Sequence, residues 1–324
     1  MPRFTLPLPA RQVYIHNFLV HARTTVLSTA LRSAVSQIAP PHLAAEMNQH
    51  APAAARQVLQ GLGVRDDQVF AVPSVLRQDP RTLGYYRLLL GVSQKRFYGH
   101  GSGLGPFKAL EDRGVIRAAI DPDIPDLCTE MNQAMGDLVT SINMTPLDVD
   151  QLPLMTLGAQ ADGSWRTRIG QKATEDVFDA LKNVIKARGI AYTDDAHSLT
   201  LTNSAGRQVT IALAAVALAA DPDVVINETV NGQEMFKVAI EIKGGTDYSN
   251  AHNRAGEAEK SHLKAAKAGA SDYWTVISTT GMTMSTLKTE SPKTKQWFDL
   301  EEVLAGVGDG WDRLVNHVLI VMGI

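Results

Sequence analysis

Two carboxylates and one ammonium stand at a spacing that can do chemistry on a phosphate. Asp221-Pro222-Asp223 is followed, after seventeen intervening residues, by Glu241-Ile242-Lys243. Between them, Val224-Val225-Ile226 favours a strand, and Asn231-Gly232 is the dipeptide of a tight turn with positive φ at both positions. Met235 to Lys243 then reads as the returning strand. Side chains alternate along a strand, so Glu241 and Lys243 share one face while Ile240 and Ile242 take the other. A hairpin thus brings Asp223, Glu241 and Lys243 to neighbouring positions. Two carboxylates form a hard oxygen site for Mg²⁺, and the ammonium beside them can serve a phosphate. The pattern alone is not specific, since a solvated hairpin with surface charges has the same residues. Asp121-Pro122-Asp123 repeats the tripeptide with no Glu-x-Lys behind it.

The residues after Lys243 sharpen the reading. Gly244-Gly245-Thr246-Asp247 ends the strand, and a polar helix is predicted from about Asn250 to Gly269. It carries His252, Arg254, Glu257, Lys260, His262, Lys264 and Lys267. The stretch EIKGGTDYSNAHNRAGEAEKSH resembles type II restriction endonucleases of the PD-(D/E)xK superfamily. Glu-x-Lys-Gly-Gly-x-Asp followed by His252 is similar to the BsoBI/AvaI type. The run Gly256-Glu257-Ala258-Glu259-Lys260-Ser261-His262 resembles the XcyI group, whose members cut CCCGGG. The resemblance covers roughly residues 165 to 285 and shows no departure at Asp223, Glu241 or Lys243. His252 sits closer to the lysine than its BsoBI-type counterpart.

That resemblance implies a Mg²⁺-dependent type II restriction endonuclease, with Mn²⁺ able to substitute. It would cut double-stranded DNA at a short GC-rich palindrome and leave 5′-phosphate ends. A two-fold homodimer and a cognate DNA methyltransferase, met genetically and not as a stable complex, are implied with it. Asp223 and Glu241 would hold the metal, with the Ile242 carbonyl as a further ligand, and Lys243 would orient or deprotonate the attacking water. His252 and His262 are candidates for proton transfer or phosphate contact, or simply surface imidazoles on a solvated helix. For base reading, Arg254, Lys260, Lys264 and Lys288 follow the catalytic strand, and Arg or Lys pairs well with guanine. Two other functions use the same residues: a structure-selective or repair nuclease, and a catalytically silent DNA-binding protein.

Composition bounds these readings. The chain has 324 residues, 44% hydrophobic and 20% charged, an ordinary globular balance with room for one large or two modest domains. A single cysteine, Cys128, excludes an internal disulfide framework or a cysteine zinc cluster and suits a reducing compartment. The first residues lack a charged start followed by an apolar stretch, and the apolar runs 209–220 and 314–324 are too short for a bilayer. A soluble, cytoplasmic protein is expected. The net charge of −3 does not suit indiscriminate DNA coating, but Arg81 to Arg117 holds seven basic residues against Glu111 and Asp112. Lys95, Arg96 and Lys108 in that segment are candidate phosphate contacts, with a solvated helix and loop as the alternative.

The elements that must position these groups form an α/β (α+β) chain. Residues 1–160 read as a mostly helical region for DNA clamping, recognition or dimerisation. Within it, alanine-rich helical spacing runs from about 8 to 62 with a break at Pro40-Pro41. A helix is predicted over Gly84 to Val92, and Gly99 to Gly105 forms a loop without a nucleotide-binding spacing. Pro122, Pro125 and Pro146 mark irregular connections. Residues 161–324 read as the nuclease core. There Ile169, Ala173, Val177, Leu181 and Val184 or Ile185 line a helix stopped by Gly189, followed by strands at 198–202 and 209–213, the hairpin, the polar helix, a strand at 273–279 and a terminal helix from Trp311. Taken together this is the αβββαβ order of a restriction-endonuclease-like core, a mixed central sheet flanked by helices.

Overall fold

The computed structural model describes residues 9–214, 222–245, 251–279 and 282–324. Asp221, Thr246, Asp247 and the alanine-rich run 215–220 lie outside the described residues. The chain divides into two compact units, Met1–Trp165 and Arg166–Ile324. Among the described residues no helix is long and apolar enough to cross a membrane.

The first unit is helical throughout: α1 (Ala10–Thr25), α2 (Ser28–Val35), α3 (Pro40–His50), α4 (Ala53–Gly61), α5 (Pro73–Gln78), α6 (Thr82–Leu89), α7 (Gln94–Phe97), α8 (Lys108–Arg113) and α9 (Ile124–Ile142). Its core gathers Leu59, Phe70, Leu76, Leu83, Tyr86 and Met135. The prolines fall at the breaks expected from sequence, and there they open the helices that follow. Pro40-Pro41 opens α3, Pro125 lies in the first turn of α9, and Pro146 starts α10 (Pro146–Lys186). A first-turn residue has no intrahelical acceptor for its N–H, so proline is at home there and does not interrupt. Thr145 and Asp148 close a reciprocal cap at the start of α10: Thr145 donates from N and Oγ1 to Asp148 Oδ2 (2.8 and 2.6 Å), and Asp148 N donates back to Thr145 Oγ1.

The second unit is built on a seven-stranded sheet in sequential order: β1 (Tyr192–Asp194), β2 (Ser198–Thr202), β3 (Gln208–Leu213), β4 (Val224–Val230), β5 (Gln233–Lys243), β6 (Asp272–Ile277) and β7 (Gln296–Asp299). Neighbours from β1 to β5 run antiparallel, and β5, β6 and β7 run parallel. The parallel steps need crossovers. These contain α11 (Ala251–Lys267) and α12 (Met284–Glu290), and the chain finishes with α13 (Leu300–Ala305) and α14 (Asp309–Met322). The mixed sheet with flanking helices, behind a helical N-terminal region, is the restriction-endonuclease-like architecture expected. β1 and β7 were not anticipated from sequence.

Strand alternation sorts the two faces of this sheet. Val224, Ile226, Val238 and Ile240 pack with Val177 and Leu181 of α10 and with Leu314 and Val318 of α14. Val225, Ala239 and Tyr273 point the other way and pack with Ala265 of α11. Asn231 (φ 52°) and Gly232 (φ 77°) supply the tight turn between β4 and β5. One residue then breaks the count. Asn227 pairs with Phe236 but Ile226 pairs with Val238, leaving Lys237 as the extra residue of a β-bulge.

Candidate active site

The bulge decides what faces what. Past Lys237 the register runs Val225↔Ala239 and Val224↔Ile240, so the next step sets Asp223 beside Glu241. An unbroken register from the turn would have set Asp223 beside Ile240, whose side chain points to the opposite face. Asp223 Oδ2 accepts the Ile242 backbone N–H at 2.6 Å, and Thr174 of α10 lies close to this carboxyl. Two residues along β5, Lys243 Nζ lies 2.6 Å from Glu241 Oε1 and 3.7 Å from Glu257 Oε2 of α11. The other oxygen of Glu241, Oε2, accepts the Ser261 hydroxyl at 2.5 Å. The structure therefore brings together the three residues singled out by spacing.

Burial sets the electrostatics. Glu241 is only 3% exposed. Burial first, and the neighbouring Asp223 charge second, push its carboxyl up to about 7, against the opposing pull of Lys243. Asp223 is raised too, by burial that outweighs the Ile242 N–H and the Lys243 charge. Lys243 feels the reverse balance: burial lowers its pKa, but Glu241, Asp223 and Glu257 together leave it raised. The ammonium keeps its proton, and two carboxylates share it.

Such a pair fits a hard divalent cation. Both groups offer only oxygen, and their raised pKa values mean that a nearby positive charge would relieve them. Among the described residues no group of three or more His, Cys, Asp or Glu side chains clusters for a metal.

The remaining sequence candidates scatter. His252 is exposed, and its Nδ1 pairs with Glu290 of α12, not with a carboxylate of the cluster. His262 is fully buried, with Nε2 2.9 Å from Thr275 Oγ1, and burial followed by the Lys243 charge lowers it to about 4. A neutral interior imidazole reaches no phosphate, so the surface contact expected of His262 is corrected to helix packing. Arg254 is largely buried, whereas Lys260 and Lys264 are exposed on α11.

In the first unit, Lys95, Arg96 and Lys108 are exposed, Lys108 lying 3.7 Å from Asp112. Arg87, counted in the same basic segment, is interior. It grips Glu111 with Nε and Nη2 at 2.8 and 2.6 Å, and Gln94 and Tyr98 bond the same carboxylate. That buried pair leaves six basic residues against Asp112, so the net charge the segment presents to solvent is unchanged. Sequence reasoning missed Ser261 and Thr174 as partners of the two carboxylates. A hydroxyl on a helix is too common a feature to signal a role by itself.

The chain matches the family model described as XcyI restriction endonuclease over residues 16–324. It is similar to the type II restriction enzyme XcyI of Xanthomonas campestris pv. cyanopsidis, 34% identical over 330 residues that span 99% of this chain and 96% of the relative. The type II restriction enzyme Cfr9I of Citrobacter freundii is 31% identical over 328 residues, covering 99% of this chain and 97% of that one.

Proposed function

The chain belongs to the XcyI restriction endonuclease family and is a type II restriction endonuclease acting on DNA, and we propose that Asp223, Glu241 and Lys243 are its phosphodiester-cleaving centre. The observation that carries this reading is the bulge-set pairing of Asp223 with Glu241, with the Lys243 ammonium 2.6 Å from the latter. Asp223 and Glu241 would hold Mg²⁺, with Mn²⁺ as a substitute. When bound, such an ion acidifies a coordinated water and offsets charge on the scissile phosphate.

The protein's own groups supply the rest. Lys243, beside Glu241, would orient or deprotonate the attacking water and stabilise negative charge building on the phosphate. In-line attack leaves a 5′-phosphate and a 3′-hydroxyl. The target is a short GC-rich palindrome of the CCCGGG kind, read by two copies of the chain related by a two-fold axis, one centre for each strand. Lys95, Arg96 and Lys108 of the first unit, and Lys260 and Lys264 along α11, contact DNA, and Arg254 and His252 assist from the same helix. Residues 1–160 act as clamp, recognition and dimerisation region, and 161–324 as the catalytic core. A methyltransferase of the same specificity would protect host DNA.

The test is digestion of supercoiled plasmid with Mg²⁺, Mn²⁺, Ca²⁺ or EDTA, followed by sequencing of the ends. Cleavage at one palindrome in Mg²⁺ and none in EDTA is expected, with Asp223→Ala and Glu241→Ala inactive. Full-speed cutting in EDTA, or by either variant, would overturn the assignment. Ends scattered over junctions or lesions would mark a structure-selective nuclease instead.

A further inference from the structure

We propose that Ser261 is a positioning residue for Glu241, fixing the carboxylate in the orientation that receives the divalent cation. The inference rests on the reading of Asp223 and Glu241 as metal ligands. Its physical basis is the surplus of this hydroxyl over what packing requires. The buried small residues of α11 around it, beside the buried Arg254 and His262, are Ala255, Ala258 and Ala265. A methyl group satisfies the space between helix and sheet at those positions, and Ser261 differs from alanine only by its oxygen. A serine inside a helix ordinarily turns its hydroxyl back to the carbonyl four residues earlier. Here the hydroxyl leaves the helix and donates to Glu241 Oε2 at 2.5 Å, with Ser261 5% and Glu241 3% exposed.

The two oxygens of Glu241 are thereby held by different elements, Oε1 by Lys243 on its own strand and Oε2 by α11. Two contacts remove the rotation of the carboxylate plane that a single contact would leave. Each carboxylate oxygen has two lone pairs, so Oε2 can accept the hydroxyl and still offer an electron pair to a metal. The next residue reinforces the seating. His262 bonds Thr275, and Thr275 is the β6 residue in register with Glu241. Successive side chains of α11 therefore dock on two paired residues of adjacent strands. Outer partners of this kind orient a ligand, and removing one lowers metal affinity or activity by about 10- to 100-fold.

The experiment compares wild type with Ser261→Ala, Ser261→Thr and Glu241→Ala in two measurements. Single-turnover cleavage of plasmid is followed across a Mg²⁺ titration, and Mn²⁺ binding to the DNA-free protein is followed by electron paramagnetic resonance. Ser261→Ala should need about 10- to 100-fold more metal for half-saturation in both measurements, while its limiting cleavage rate stays within a few-fold of wild type. Ser261→Thr, which keeps the donor, should stay close to wild type; it also carries the test if the alanine variant does not fold. An unchanged metal half-saturation for Ser261→Ala, or equal losses in the Ala and Thr variants, would overturn the proposal. If Glu241→Ala binds Mn²⁺ and cleaves like wild type, the reading of the centre itself has failed. If Glu241→Ala is dead while Ser261→Ala is normal, only the role of Ser261 has failed.

Discussion

Replacing Glu241 by Gln should stabilise the metal-free protein while abolishing cleavage. The carboxyl is raised from its ordinary 4.5 to about 7, chiefly by burial and then by the Asp223 charge. A raised pKa means that the folded state binds the proton more tightly than the unfolded one. The resulting stabilisation is fully present below about pH 4.5 and is lost as pH rises through 7. At pH 8 the ionised carboxylate thus costs about 3 kcal/mol relative to its neutral form, at 1.36 kcal/mol per pKa unit. Gln copies the neutral form without stranding its partners. Its Oε1 can accept from Lys243, and its amide can donate to the Ser261 oxygen. Calorimetry in EDTA at pH 8 should show the melting transition of residues 166–324 raised by roughly 6–12 °C, at about 2–4 °C per kcal/mol for a unit of this size. At pH 5 the gain should shrink below about 1 kcal/mol. Adding Mg²⁺ should stabilise the wild type and leave the variant unmoved. A variant no more stable than wild type at pH 8, or a gain independent of pH, would refute the argument that the paired carboxylates are held against their own repulsion.

Lys243→Ala should slow single-turnover cleavage by roughly 10²–10³-fold, the usual effect of removing one donor to a charged transition state, and Lys243→Arg should not restore it. A rate near wild type in Lys243→Ala would remove Lys243 from the chemistry, and one in Lys243→Arg would exclude a general-base role and leave only its charge. Lys95→Ala/Arg96→Ala should weaken cognate and non-cognate DNA binding by similar factors and flatten the salt dependence by about one to two units, read by titration at several salt concentrations. A selective loss of cognate binding would assign the segment to base reading. Glu111→Ala should destabilise the first unit by about 3–5 kcal/mol in urea unfolding, because it leaves Arg87 buried without its carboxylate. Replacing both with apolar residues should recover part of that loss.

The β4–β5 hairpin was legible because its signals are local and mutually consistent: β-formers, an Asn231-Gly232 turn, and alternation that puts Glu241 and Lys243 together. The polar helix after Gly245 was legible from its spacing, as was the buried row Ala173, Val177, Leu181 and Ile185. What escaped detection depends on distant partners. Tyr192–Asp194 and Gln296–Asp299 are three and four residues long, too short to display a period, and they become strands only through the neighbours they join. Arg87 and Lys95 are both cations to a sequence reader. Only the fold reveals that one is sealed against Glu111 and the other faces solvent. His262 looked like a surface imidazole because its helix is rich in charge, yet it falls on the single stripe turned toward β6.

The bulge at Lys237 has a consequence for how this chain can change over generations. A hairpin with alternating faces counts in twos, and one extra residue has already set the parity that places Asp223 beside Glu241. Losing or gaining a single residue between Asn227 and Val238 would turn the two carboxylates to opposite sides of the sheet, even if every strand hydrogen bond re-formed. Substitution is open to this segment, but single-residue length change is not. Lineages descended from such a chain should therefore vary this hairpin in spelling and place their insertions beyond its ends.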